Sequence, residues 1–240
     1  MAEPAVVKLS RELATRTDAL KVGGPVALTL NPLIYARALH EAYLRRFGTA
    51  KGRVLFLGMN PGPWGMGQTG VPFGDPETVR TWMGLAGDVV PPRATHPRVP
   101  ILGLASTRRE GSGTRLWTWA AARTGTADTF FAHAFVWNHC PLAFLDEKGA
   151  NVTPDKLPVK DRDRLLAMCD ESLGALIDLL APRALVGIGQ YAEARLAAVS
   201  GEKIPLHRLL HPSPANPRSH KEFDPQAEAL AETLGLPRVR

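Results

Sequence analysis

Cysteine is almost absent: 240 residues contain two, Cys140 and Cys169. Two thiols cannot supply the four thiolates of an iron–sulfur cluster or an all-cysteine zinc site, so chemistry without metal or cofactor is expected. Apolar runs of membrane-spanning length are also missing. The first twenty residues, MAEPAVVKLSRELATRTDAL, carry an acid at position 3 and lack the long apolar core of a secretory signal. A cytosolic protein with no membrane partner is expected. There is no internal repeat and no low-complexity tract, and 45% hydrophobic with 22% charged residues excludes large-scale disorder.

Charge is present and uneven. Lys and Arg exceed Asp and Glu by 29 − 23 = 6. From Lys203 to Lys221 inclusive there are four basic residues and no acid, and a second run comprises Arg93, Arg98, Arg108, Arg109, Arg115 and Arg123, interrupted by Glu110. Such patches suit a polyanion held by its phosphates, against the plainer reading of solubility charge on a solvated face.

The stretch Arg53–Gly74, RVLFLGMNPGPWGMGQTGVPFG, opens with five apolar residues in six from Val54 to Met59. That pattern predicts a strand covered on both faces, as in a parallel sheet. The Asn-Pro-Gly-Pro that follows can continue neither strand nor helix. Further strands are predicted at Phe130–Trp137, Ala184–Gly189 and Leu206–Leu210. Helices are predicted at Lys8–Ala19, Leu30–Phe47, Glu77–Leu85, Thr114–Thr124, Arg162–Leu180, Gln190–Val199 and Asp224–Leu234, with a polar loop over 145–160. Alternating strands and helices predict one α/β/α domain around a central, mainly parallel four-stranded sheet. Residues 1–24, closed by Gly23-Gly24-Pro25, read as an N-terminal extension packed on a catalytic domain spanning 25–240.

Three of the predicted strands run out into polar residues beside proline: Asn60, Asn138 and His211. In a parallel sheet such ends share one edge, where open α/β sheets place ligands. Singly, a buried Asn satisfies backbone groups and a lone His is structural more often than catalytic. An amide has no useful pKa, so Asn60 can hold a water but cannot take its proton. A weak nucleophile suffices where the leaving group departs early and its charge is stabilised, as in hydrolysis of an N-glycosidic bond to a base.

GMNPGPWGMGQTGVPFG and HPSPANP resemble the two signature motifs of the single-strand-selective monofunctional uracil-DNA glycosylase family, and VWNHCPL is similar to its middle motif. The resemblance, to a bacterial-type member, implies the uracil-DNA glycosylase fold. It also implies removal of uracil and C5-modified uracils such as 5-hydroxymethyluracil from single- and double-stranded DNA. The protein would act as a monomer in the bacterial cytosol or nucleoid, without a cofactor. By the same resemblance Asn60 positions the water and His211 bonds uracil O2 and steadies the departing anion. Asn138 reads N3–H and O4, Phe73 stacks on the base, and the main chains of Met59 and Gly62, with Pro63, contact it. Gly62 stands where another branch carries a bulky Tyr, which implies room at C5.

Flipping a base out of a duplex requires a wedge, and the loop Ser213, Pro214, Ala215, Asn216, Pro217 and Arg218, with Lys221 beyond it, is the candidate DNA-binding element. Animal members carry Arg after HPSP where this chain has Ala215, so either Arg218 inserts or the wedge is weaker. No lysine lies in the three motifs, so no Schiff base and no strand cleavage are expected. Two other readings compete: another nucleoside hydrolase on the same sheet, and a damaged-DNA binder that does not cut.

Overall fold

The computed structural model describes residues 2–239. In chain order the elements are α1 (Ala5–Asp18), β1 (Leu28–Leu30), α2 (Pro32–Tyr35), α3 (Arg37–Phe47), β2 (Val54–Gly58), α4 (Met66–Thr69), α5 (Pro76–Thr81), α6 (Gly111–Thr124) and α7 (Ala127–His133). There follow β3 (Ala134–Asn138), β4 (Ala143–Leu145), β5 (Asn151–Val152), α8 (Val159–Leu180), β6 (Ala184–Ile188), α9 (Gln190–Ser200), β7 (Leu206–Leu209) and α10 (Ser219–Thr233). Four strands form a parallel sheet in the order β3-β2-β6-β7. Every residue of β2, β3 and β6 is buried, as a sheet covered by helices on both faces requires. The register sets Gly58 of β2 beside Asn138 of β3 and Gly187 of β6 beside Arg208 of β7, so Asn60, Asn138 and His211 leave the sheet at one edge.

A second sheet, antiparallel in the order β1-β4-β5, was not expected from the sequence. Its strands have three, three and two residues, too short for a periodic signal. It places Asn151 inside what reads as a polar loop and shifts the start of α8 to Val159.

Of the other boundaries that differ from expectation, three bear most on the core. The helix expected over Leu30–Phe47 is divided, because Leu30 pairs with Ala143 and Ala36 leaves helical geometry at φ −105°, ψ 24°. The strand expected over Phe130–Trp137 begins only at Ala134. Phe130 and Phe131 belong to α7, whose start is capped by Thr126 accepting from the Thr129 amide, and both rings enter an aromatic cluster with Trp82 and Trp117. A short apolar run satisfies either period, and here capping and packing decide it. The last helix starts at Ser219 rather than Asp224, with Pro225 in its interior. A proline at a helix interior forfeits one backbone bond, so its position is a poor guide to the helix start.

The N-terminal helix is tied to the rest by Val6, Val7, Leu13 and Ala14, which belong to the main core. It also reaches the loop after β2. Ser10 Oγ–H donates to His40 Nε2 (2.7 Å), and His40 Nδ1–H donates to the Gly70 carbonyl (2.6 Å). Burial pulls the His40 pKa down to about 4, so the ring is neutral and makes both bonds at neutral pH.

Candidate active site

Residues 59–74 leave β2 and fold back as a nearly buried loop. Tyr35 donates to the Gly67 carbonyl (2.5 Å), Trp117 Nε1–H to the Phe73 carbonyl (2.8 Å), and the Gln68 amide to Pro63 and Pro100. Phe73 sits at φ 53°, a left-handed conformation that bulky residues seldom adopt. The Trp117 bond helps hold it there.

Over this loop lies a cavity of about 370 Å³. Asn60, Asn138 and His211 all line it, together with Met59, Gly62, Pro63, Phe73 and Ser213. Three motifs separated by some seventy residues each thus converge on one space. The other residues of the proposed wedge, Pro214 to Arg218, lie outside it and, with Lys221, on the flanking surface.

Each polar group has a definite state. The Ser213 amide donates to His211 Nδ1 (3.1 Å), so the proton of a neutral ring resides on Nε2. Burial lowers the His211 pKa to about 4, which keeps the imidazole neutral at pH 7. Its centroid lies 6.0 Å from that of Phe73. Asn138 donates Nδ2–H to Met66 Sδ at 3.2 Å, while its Oδ1 is buried with no partner. An unpaired buried acceptor costs about 1–3 kcal/mol, which an N–H entering the cavity would recover. Gly58 makes this placement possible, since a Cβ there would collide with Asn138 Oδ1 and stand 2.6 Å from the Phe73 ring. At Gly62 a Cβ would meet only Glu110, at 3.6 Å or more.

Five lining residues went unread in the sequence: Met66, Glu110, Ser112, Asn151 and Thr153. Glu110 caps α6 by accepting from the Ser112 and Gly113 amides, and burial pushes its carboxyl pKa up. Acid before Gly-Ser-Gly is a readable helix-cap signal, but nothing local says that the carboxylate faces a cavity. His139, inside the middle motif, points away. Its Nε2–H donates to Asp170 (2.8 Å) and its Nδ1 accepts from Tyr191 (2.9 Å), which pins the segment carrying Asn138 to α8 and α9.

The basic runs are less free than their count suggests. Arg123 is buried on Glu228, Arg109 binds Asp75, and Arg208 and Arg218 pair with Glu193 and Glu222. Arg93, Arg98, Arg108, Lys203 and Lys221 make no ion pair among the described residues. No group of three or more His, Cys, Asp or Glu among those residues is placed to hold a metal ion.

Residues 45–234 match the family described as the uracil DNA glycosylase superfamily. The chain is 42% identical over 234 residues to the single-strand selective monofunctional uracil-DNA glycosylase of Rattus norvegicus, covering 96% of this chain and 82% of the relative. It belongs to that family. A Bos taurus protein of the same description is 43% identical over 214 residues, spanning 88% of this chain and 79% of that one. Among solved structures, Pedobacter heparinus SMUG2 shares the fold at a TM-score of 0.66 and 20% identity, over 95% of this chain and 98% of that one. Ala215 is exposed at the tip of the third motif.

Proposed function

We propose that this protein is a monofunctional uracil-DNA glycosylase, hydrolysing the N-glycosidic bond of uracil in DNA and leaving an abasic site without strand cleavage. The observation that carries the reading is the unpartnered Asn138 Oδ1 in a cavity shared with a neutral, Nε2-protonated His211 and with Asn60. Uracil presents N3–H to that oxygen, whereas cytosine has a bare N3. Discrimination from this one reversal is about 1–3 kcal/mol, by the scale of other bidentate amide–base contacts.

The base lies against Phe73, a contact worth about 1–3 kcal/mol in other nucleic-acid sites. His211 Nε2–H faces O2, where negative charge gathers as the bond to C1′ lengthens. A neutral donor suits this task, because it stabilises the anion without delivering a proton that a low-pKa ring does not carry. Asn60 holds the water that adds to the cationic sugar, and the water's proton passes to solvent. Lysine is missing from the residues lining the cavity, so the abasic sugar meets no amine and the strand stays intact.

C5-modified uracils, including 5-hydroxymethyluracil, are proposed as further substrates. Gly62 brings no side chain to the wall, and Glu110 beyond it offers an acceptor to a hydroxyl. The enzyme is proposed to act as a monomer on single- and double-stranded DNA, with 213–218 and Lys221 on the strand.

The test is incubation of uracil-containing single strand and duplex with the protein, then hot alkali. Alkali-labile sites at uracil, and intact strands without alkali, are expected. No labile site in either substrate would overturn the reading, and retained binding would then favour a non-cutting damage binder.

A further inference from the structure

Asn60 is asked to hold a water by its oxygen, yet an amide has two ends of nearly equal shape. If Nδ2 faced the water, it would donate to one of the water's lone pairs and draw electron density from the oxygen that must attack. If Oδ1 faces the water, it accepts a hydrogen bond from it and leaves the water's lone pairs free for C1′. Orientation therefore decides whether Asn60 helps or blocks, and some neighbour has to fix it.

Two contacts bear on the choice. Nδ2 of Asn60 donates toward the Pro61 carbonyl at 3.5 Å and to Asn151 Oδ1 at 3.3 Å. The first is long and barely a bond, but a carbonyl can only accept, so it excludes Oδ1 from that side. The second is the stronger, and it comes from β5, the two-residue edge strand of the small sheet. That strand is anchored where Val152 is buried opposite Phe144, leaving Asn151 turned outward at the cavity wall. The only side-chain hydrogen bond Asn151 makes among the described residues is this one to Asn60.

We infer that Asn151 is a positioning residue for catalysis: by accepting from Asn60 Nδ2 it turns Asn60 Oδ1 toward the attacking water. The inference rests on the proposed glycosylase reading and gives the small sheet a task in it. Asn151 needs no contact with base or sugar, and its effect belongs to the chemical step rather than to binding.

The test compares Asn151→Ala and Asn151→Asp with wild type, in single-turnover excision of uracil from a single strand at saturating enzyme. Affinity for a strand carrying a non-cleavable uracil analogue is measured beside it. Asp keeps an acceptor for Nδ2 and Ala does not. Asn151→Ala should lose about tenfold in the single-turnover rate, the scale of one mis-set catalytic group, with affinity within about twofold of wild type. Asn151→Asp should recover most of that loss above pH 6, and the Ala and Asp proteins should share the wild-type melting temperature because the side chain is exposed. A wild-type rate in Asn151→Ala would overturn the inference, as would equal losses in Ala and Asp. A fall in affinity matching the fall in rate would make Asn151 a DNA contact instead. An inactive wild type would instead sink the glycosylase reading itself, so the two failures are told apart.

Discussion

The two halves of the site to which we assign the catalytic groups are built on unlike ground. Asn60 opens a loop buried along most of its length, held by Tyr35 and Trp117 from two other helices and by its own Gln68, which reaches the Pro100 carbonyl, with Phe73 in a left-handed conformation at its far end. His211 opens a loop whose tip, Pro214-Ala215, is exposed and whose bonds are largely its own: Asn216 N and Ser219 Oγ both donate to the Ser213 carbonyl. The first half must present a fixed surface to a flat base. The second must hold one imidazole still while the rest accommodates a strand, and the Ser213 amide on Nδ1 achieves that with a single local bond. Hydrogen bonds thus hold His211 and Ser213, while Pro214 and Ala215 beyond them stand exposed.

The largest effects are expected at the two side chains proposed to carry the chemistry. His211→Ala and Asn60→Ala should each lower single-turnover excision by about a hundredfold or more while DNA binding persists, measured by alkali-revealed cleavage and by fluorescence anisotropy. Full activity in either variant would contradict its role. Next comes the packed half. Gly58→Ala forces a methyl into Asn138 and Phe73, and overpacking of this kind costs about 1–3 kcal/mol; a lower melting temperature and a loss of uracil-over-cytosine selectivity are expected together. Gly62→Ala meets only Glu110 at ordinary contact distance, so the same change four residues later should leave uracil excision and stability nearly intact.

Acid supplies a third, smaller handle. His40 and His211 both have folded pKa values near 4 because burial disfavours their charged forms. Below an unfolded value of about 6.5 the unfolded chain takes up protons that the folded chain refuses. Their contribution to stability is therefore complete above about pH 6.5, falls as pH drops toward 4, and changes little below that. Replacing His40 by Gln should flatten the slope of melting temperature against pH in this window; an unchanged slope would contradict the assignment. The smallest effect belongs to the exposed half: Arg218 is already paired with Glu222, so Arg218→Ala should weaken DNA binding by no more than about threefold.

The sheet and its active edge were legible because β2 and β6 are short, largely apolar runs bounded by Gly or Pro, and because the three motifs fall where β2, β3 and β7 stop. Phe130 and Phe131 were misread because an aromatic pair fits strand and helix alike, and only packing against Trp117 and Trp82 distinguishes them. Asn60, Asn138 and His211 could be found as polar residues out of place beside prolines. Glu110 and Asn151 could not, since each sits in a segment polar throughout. What singles them out is a tertiary neighbour, Gly62 in one case and Asn60 in the other. The basic runs misled in the opposite direction: sequence counts charges, but Arg123 and Arg109 are already committed to acids distant along the chain.

The Ser10–His40–Gly70 chain bears on where this polypeptide could be shortened. A cut at the Gly23-Gly24-Pro25 break would look harmless, removing a helix that touches no substrate. It would strip the hydroxyl from His40 Nε2, leave that nitrogen without its partner, and loosen the imidazole that props the turn preceding Phe73. A trimmed protein would still carry every motif intact and would be a poorer enzyme, because the turn that leads into Phe73, the proposed stacking platform, would have lost its footing.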